Sequence, residues 1–348
     1  MDLADGAHPS RKQSLRPFWF TLILLNAGLI IAAFIAADRL DVPGRLAVPV
    51  AAAFLVQISV CLVPLFPPVR LYLEDRFSSV ALASLLVATA LTPYLIYSLP
   101  SGVFSLRSFA TLLAFSGAVA FIYVLAPPRE HRLSWQDVIV LALLAYPMVS
   151  GLSDMFKEIY PNPGGNVPGD VYAIGKIMLI SLGAMVFLSL RPLRGTNYQL
   201  AISRSDFRAG LKNYLLFLPI GIPLALGIGF ASWGPRSFDS WTDLVEVAGR
   251  AAGLYAAVAL SEELYFRGVI QNLLSATFNR PAAAQAVAAL LFGLAHISPG
   301  FPNGSYVLVA AVAGWFYGRA YSQTQSVVAA AVTHTLVAVT HAFFFPRV

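Results

Sequence analysis

The chain has 348 residues, of which 58% are hydrophobic and 11% charged, with a formal net charge of +6. Soluble proteins carry about 45–50% apolar and about 25% charged residues. So few charges cannot clothe a water-facing surface, which excludes both a soluble enzyme and a disordered protein. The composition specifies an all-α, polytopic transmembrane helical bundle whose first partner is the lipid bilayer.

The single Cys61 excludes an intramolecular disulfide framework and any multi-cysteine metal centre. The positive balance does not point to nucleic acid, because Lys and Arg sit in short loops between apolar runs, where they set membrane topology.

A spanning helix needs about 20 apolar residues. The first run, Phe18–Ala37, follows Arg11, Lys12 and Arg16 and ends at Asp38-Arg39. It is longer than the about 7–15 apolar residues of a cleaved leader and reads as a retained span. Further candidates are Leu46–Phe66, Phe77–Ser98, Ser108–Ala126, Val138–Ser150, Val171–Leu190 and Leu211–Ser232. A long stretch around Leu244–Phe278 follows, then Ala282–Ile297, Ser305–Tyr321 and Ser326–Phe345. The fifth and ninth of these are short, so the expected count is eight to eleven spans. The segment Gly151–Asp170, rich in Pro and Gly, is expected to be an irregular external loop.

Alternate loops differ in basic residues. One side holds Arg11, Lys12, Arg16, Arg70, Arg76, Arg129, Arg132, Arg191, Arg194, Arg204, Arg208 and Lys212. The other, through the seventh span, holds only Arg39, Arg45, Arg107, Lys157 and Arg236. The bias predicts a cytoplasmic N-terminus; the expected location of this multi-pass protein is a bacterial plasma membrane.

Among the acidic residues, Glu262 and Glu263 stand deep within an apolar stretch, AAGLYAAVALSEELYFRGVIQNLL. A charge at mid-membrane costs at least about 2.5–3.5 kcal/mol on insertion scales, so each carboxylate needs a partner or a wet cavity. Glu263 and Arg267 are four residues apart, in the favourable order for a helical ion pair. Glu262 points about 100° away around the helix and lacks such a partner, which leaves it for chemistry. The bland alternative is a structural ion-pair network joining helices. His296, His334 and His341 lie in or at the ends of the apolar runs that follow, and they weigh against that alternative.

The sequence Glu262-Glu263-Leu264-Tyr265-Phe266-Arg267 resembles the EExxxR motif of the CAAX protease and bacteriocin-processing (CPBP, or Abi) family of intramembrane proteases. Phe292-Gly293-Leu294-Ala295-His296 resembles its FxxxH motif, and His334 takes the first position of the third, HxxxN or HxxxB. The resemblance covers roughly Leu244–Phe345 and implies a protease core within residues 211–348. Residues 1–210 would form N-terminal transmembrane helices without an assigned role.

It further implies that Glu262 is the general base, that His296 holds the water and that His334 stabilises the oxyanion. Glu263 and Arg267 would brace the helix. The chain departs from the pattern at Ala338, where the family has Asn. His341, seven residues beyond His334, shares its helix face. Two mechanisms stay open. Glu262, His296 and His334 match the two-His, one-carboxylate set of a catalytic zinc site; the same groups can activate water without metal.

Other membrane-protease signatures (HExxH, GxSG, GxGD) are absent from the sequence, as are GxGxxG and the P-loop. The expected activity is cleavage of a peptide or protein substrate, either CAAX-type or a bacterial maturation or self-immunity substrate. The rival is a non-catalytic scaffold or transporter that keeps the bundle. A protease requires Glu262, His296 and His334 to converge on one cavity, whereas a scaffold does not.

Overall fold

The computed structural model describes residues 14–147, 154–191, 193, 195–236, 238–297 and 303–345. Arg11, Lys12 and Arg194 of the topology count lie outside the described residues, as do the start of the expected 151–170 loop and the end of the fifth expected span. Helix accounts for 79% of the structure, and no strand occurs among the described residues.

The N-terminal half contains α1 (Arg16–Arg39), α2 (Gly44–Leu62), α3 (Pro67–Arg76), α4 (Ser79–Ser98), α5 (Leu106–Leu125) and α6 (Trp135–Ala145). A short α7 (Met155–Ile159) follows, then α8, which runs as one helical stretch over Gly169–Leu190. The C-terminal half contains α9 (Arg204–Gly227) and α10, a continuous helical run over Trp241–Phe278. Then come α11 (Pro281–Leu294), α12 (Asn303–Thr324) and α13 (Val327–Phe344). Among the described residues, eight helices are long and apolar enough to cross a bilayer: α1, α2 with its short extension to Leu65, α4, α5, α8, α9, α10 and α13. The two expected short spans are the short apolar helices α6 and α11. The expected span Ser305–Tyr321 is helical, as α12, but is not one of the eight. The described part of the expected external loop is not wholly irregular, since it holds α7 and the first turn of α8.

Serine punctuates these helices. Ser78 and Ser105 accept from the backbone of Ala81 and Ser108 at the starts of α4 and α5. Ser134, Ser203 and Ser240 form capping boxes with Asp137, Asp206 and Asp243, satisfying N–H groups that would otherwise be orphaned. Asn279, at φ 52°, ends α10 in the left-handed conformation, and Pro281 opens α11.

Helix α10 has 38 residues. At 1.5 Å per residue it spans roughly 57 Å, far more than the about 30 Å hydrocarbon core. Its first third is amphipathic, with Trp241, Leu244 and Val245 exposed and Asp243, Glu246 and Arg250 interspersed. The later part packs against α11 and α13, while α9 packs against α12 and α13. Two stretches of α10, Leu254–Ala259 and Leu264–Gln271, have the wide turns of a π-helix. They bracket four α-helical residues, Leu260–Glu263.

Two main hydrophobic cores form. One gathers α2, α4, α5 and α8 with Val269 and Leu273 of α10, and the other gathers α10 to α13 with parts of α1, α2, α8 and α9. Tyr265 joins them, donating from its hydroxyl towards the Leu179 carbonyl of α8 at 3.3 Å. At Gly293, an added Cβ would lie 2.5 Å from the Val307 carbonyl oxygen, so only glycine permits this approach of α11 to α12.

Candidate active site

Adjacent residues on the α-helical turn Leu260–Glu263 point about 100° apart, so the two carboxylates of α10 take different directions. Glu263 is fully buried, and its Oε2 lies 3.0 Å from Nε of Arg267, also fully buried. Arg267 donates from Nη2 to the Gly314 carbonyl of α12 at 2.7 Å. Its guanidinium also sits 4.7 Å from the ring centre of Phe292. The expected i, i+4 pair is therefore present, and it ties α10 to α11 and α12.

Glu263 has a second partner. His334 on α13 donates from Nδ1 to Glu263 Oε1 at 2.8 Å. That bond turns Nε2 of the same ring towards Glu262, whose Oε2 stands 4.0 Å away. Glu262 is 33% exposed at its side chain, yet its Oε2 is buried and accepts no hydrogen bond among the described residues. A buried acceptor without a donor is uncommon in native proteins.

His296 lies just past the last turn of α11. Its Nδ1 is 2.7 Å from the Phe292 carbonyl oxygen. A carbonyl only accepts, so Nδ1 carries the proton, and Nε2 of the neutral ring holds the lone pair. His296 and His334 flank the Phe292 ring, with centroids 4.6 and 5.7 Å from it.

Glu262, His296, His334, Ala338 and His341 all line one cavity of about 310 Å³, at the lower end of the range for ligand sites. Its remaining wall is mostly apolar and comes from α9, α12 and the segment that leads from α9 to α10. The structure thus brings together Glu262, His296 and His334 on one cavity. It holds Glu263 and Arg267 behind them as a buried pair. His341 reaches the same cavity with its ring stacked on Phe230, at a 5.3 Å centroid separation.

The zinc alternative meets a different outcome. Among the described residues no three His, Cys, Asp or Glu side chains gather as a metal-binding group. Glu262, His296 and His334 therefore do not form the three-donor set expected of a catalytic zinc site. His334 is oriented by its bond to Glu263, with Nε2 standing 4.0 Å from Glu262 Oε2.

Sequence reasoning missed one cavity residue that matters. Tyr317 on α12 stacks flat on His334, with centroids 4.7 Å apart and planes inclined by 11°. In the apolar run GWFYGRAY an aromatic residue reads as packing. The available signal is the flanking Gly314 and Gly318, which let neighbouring side chains come close: Arg267 Nη2 lies 3.1 Å from a Cβ placed at 314. A second buried ion pair was also missed. Arg191 Nε meets Asp137 Oδ1 at 3.1 Å, and Tyr123 donates to the same oxygen at 2.7 Å. This pair sits in the N-terminal half, among α5, α6 and the end of α8.

The chain has no match among curated proteins or solved structures. Residues 246–340 match the family model of type II CAAX prenyl endopeptidase Rce1-like proteins, a protease family. All five motif residues fall inside that match, and His341 lies one residue beyond it. The C-terminal part of this multi-pass membrane protein is thus similar to the Rce1-like proteases over residues 246–340.

Proposed function

We propose that the protein is an intramembrane endopeptidase that hydrolyses a peptide bond inside the cavity, with Glu262 as general base. The observation that carries this reading is the shared cavity lined by Glu262, His296 and His334, in which Oε2 of Glu262 is a buried acceptor without a donor among the described residues. Such an oxygen takes a proton from water as that water attacks a carbonyl carbon.

The histidines divide the remaining work. His296, with its proton held on Nδ1, offers the Nε2 lone pair to the attacking water and so orients it. His334 in its imidazolium form donates through Nε2 towards a developing oxyanion, while Glu263 holds Nδ1 and fixes the ring. With His334 charged, the set Glu262, Glu263, Arg267 and His334 is electrically neutral, which suits a low-dielectric site. No metal enters this scheme.

The division into a C-terminal catalytic core and N-terminal helices of separate role belongs to the same proposal, as does a cytoplasmic N-terminus in a bacterial plasma membrane. The substrate class is a peptide or protein terminus that reaches the cavity from the bilayer surface, CAAX-type or otherwise. The amphipathic start of α10, placed for the membrane interface by its exposed Trp241 and Leu244, supports that route.

The test compares purified full-length protein with Glu262→Gln on prenylated CAAX peptides and on unprenylated apolar peptides. Cleavage by the wild type alone is the expected result. Equal cleavage by both proteins removes Glu262 from the mechanism. Absence of cleavage, with both proteins folded, favours the scaffold or transporter that Ala338 suggests.

A further inference from the structure

Tyr317 is 3% exposed, and its ring is fixed on three sides. His334 lies flat against it, Phe292 meets it edge-on at 5.6 Å, and the Arg267 guanidinium sits 5.4 Å from its centre. It lines the same cavity as Glu262, His296 and Ala338. Buried tyrosine hydroxyls ordinarily find an acceptor, and two tyrosines of the same core, Tyr321 and Tyr255, do so. Tyr321 donates to the Gly195 carbonyl at 2.8 Å, and Tyr255 donates to that of Leu200 at 3.3 Å. Among the described residues the hydroxyl of Tyr317 donates to none. Tyr317 thus brings to the cavity lining an immobilised side chain whose O–H donor has no acceptor among the described residues. The cavity also lacks the amide donor that the third motif would place at position 338, where this chain has Ala.

We propose that Tyr317 is a catalytic residue that donates its hydroxyl hydrogen bond to the carbonyl oxygen of the scissile peptide as negative charge develops there. The inference rests on the peptidase reading above. In the addition step the water oxygen bonds to the carbonyl carbon, and a water proton passes to the Glu262 carboxylate. The carbonyl π pair moves onto oxygen, where the Tyr317 hydroxyl and protonated His334 donate without giving up their protons. In the collapse the pair returns, the C–N bond breaks, and Glu262 delivers its proton to the leaving nitrogen. The flat stack, with ring centroids 4.7 Å apart, fixes both rings before the reaction, so little reorganisation is needed when charge appears.

The experiment uses full-length protein in detergent micelles, with kcat, KM and thermal unfolding measured for wild type, Tyr317→Phe, Tyr317→Leu and Tyr317→Phe/Ala338→Asn. Phe keeps the stacking ring and removes only the donor. We expect kcat to fall by about 10²–10³-fold in Tyr317→Phe, with KM within about threefold and Tm unchanged. Tyr317→Leu should lose Tm as well. Adding Asn at 338 should recover at least about tenfold of the lost kcat, because an amide then supplies the missing hydrogen bond. An active wild type with Tyr317→Phe equally active overturns the proposal and leaves the peptidase reading standing. A fall in kcat matched by a fall in Tm also overturns it, since that is the signature of packing. A wild type that cleaves no peptide fails the peptidase reading itself, and the assignment of Tyr317 falls with it.

Discussion

Glu263 accepts from His334 at 2.8 Å across seventy-one residues of chain, while its second oxygen faces Arg267 on its own helix. One carboxylate thus positions an imidazole on α13 and neutralises a guanidinium on α10. Neither task leaves it free to move a proton, which assigns the two neighbouring glutamates to different work.

Substitution of these glutamates should separate chemistry from stability. Glu262→Gln should fold like the wild type and lose activity by several orders of magnitude, because base and water positioning fail together. Glu263→Gln should lower stability by about 3–5 kcal/mol, since it leaves a fully buried Arg267 without its counter-charge. Thermal unfolding beside peptide hydrolysis checks both. Equal activity losses in two equally stable proteins would merge the roles.

Metal removal provides a second check. Because the three candidate donors do not gather as one ligand set, hydrolysis should persist in strong chelator, and elemental analysis should find well under one equivalent of metal. Reversible silencing by chelator, restored by zinc, would require a different arrangement of Glu262, His296 and His334 from the one described.

The two histidines of α13 should differ in importance. His334 touches both Glu263 and Tyr317, whereas His341 stacks on Phe230 farther along the cavity. His334→Ala should therefore cost far more turnover than His341→Ala, for which a loss below about tenfold is expected from the roughly 10 Å that separates them along the axis. Losses of equal depth, measured as kcat, would move the third motif by one or two turns.

Asp137→Ala tests the N-terminal ion pair. It strands Arg191, 4% exposed at its side chain, and removes the acceptor of Tyr123. A stability loss of about 3–5 kcal/mol is expected, with kcat per folded molecule unchanged, because the pair lies outside the cavity. A specific kcat change without unfolding would tie the N-terminal helices to the chemistry.

Close packing gives the last check. Gly293→Ala would press a methyl group against the Val307 carbonyl oxygen and the Ala311 Cβ. Overpacking of this kind costs about 1–3 kcal/mol, readable as a lower Tm. A neutral result would show that α11 and α12 can part without penalty.

Much of the bundle was legible because a bilayer constrains sequence strongly: long apolar runs and glutamates out of place in a span. The Glu263–Arg267 pair was legible because its partners are one turn apart. The His334–Glu263 and Arg191–Asp137 contacts were not, since spacing says nothing about which distant helices adjoin. Tyr317 stayed hidden for a chemical reason. In a membrane helix a tyrosine looks apolar until the acceptors around its hydroxyl are known. The wide turns of α10 leave no mark that residue order reveals.

A helix with widened turns carries surplus residues, and the surplus sets a roll angle between the parts on either side. In α10 the stretch Leu254–Ala259 separates the exposed face of Trp241 and Leu244 from the carboxylates of Glu262 and Glu263. Deleting one residue there would leave every motif letter intact while turning one part against the other by about 100°. Trp241 would then face another side of the bundle, or Glu262 would swing out of the cavity. The position of a surface tryptophan and the aim of a buried carboxylate are, in this molecule, a single torsional setting.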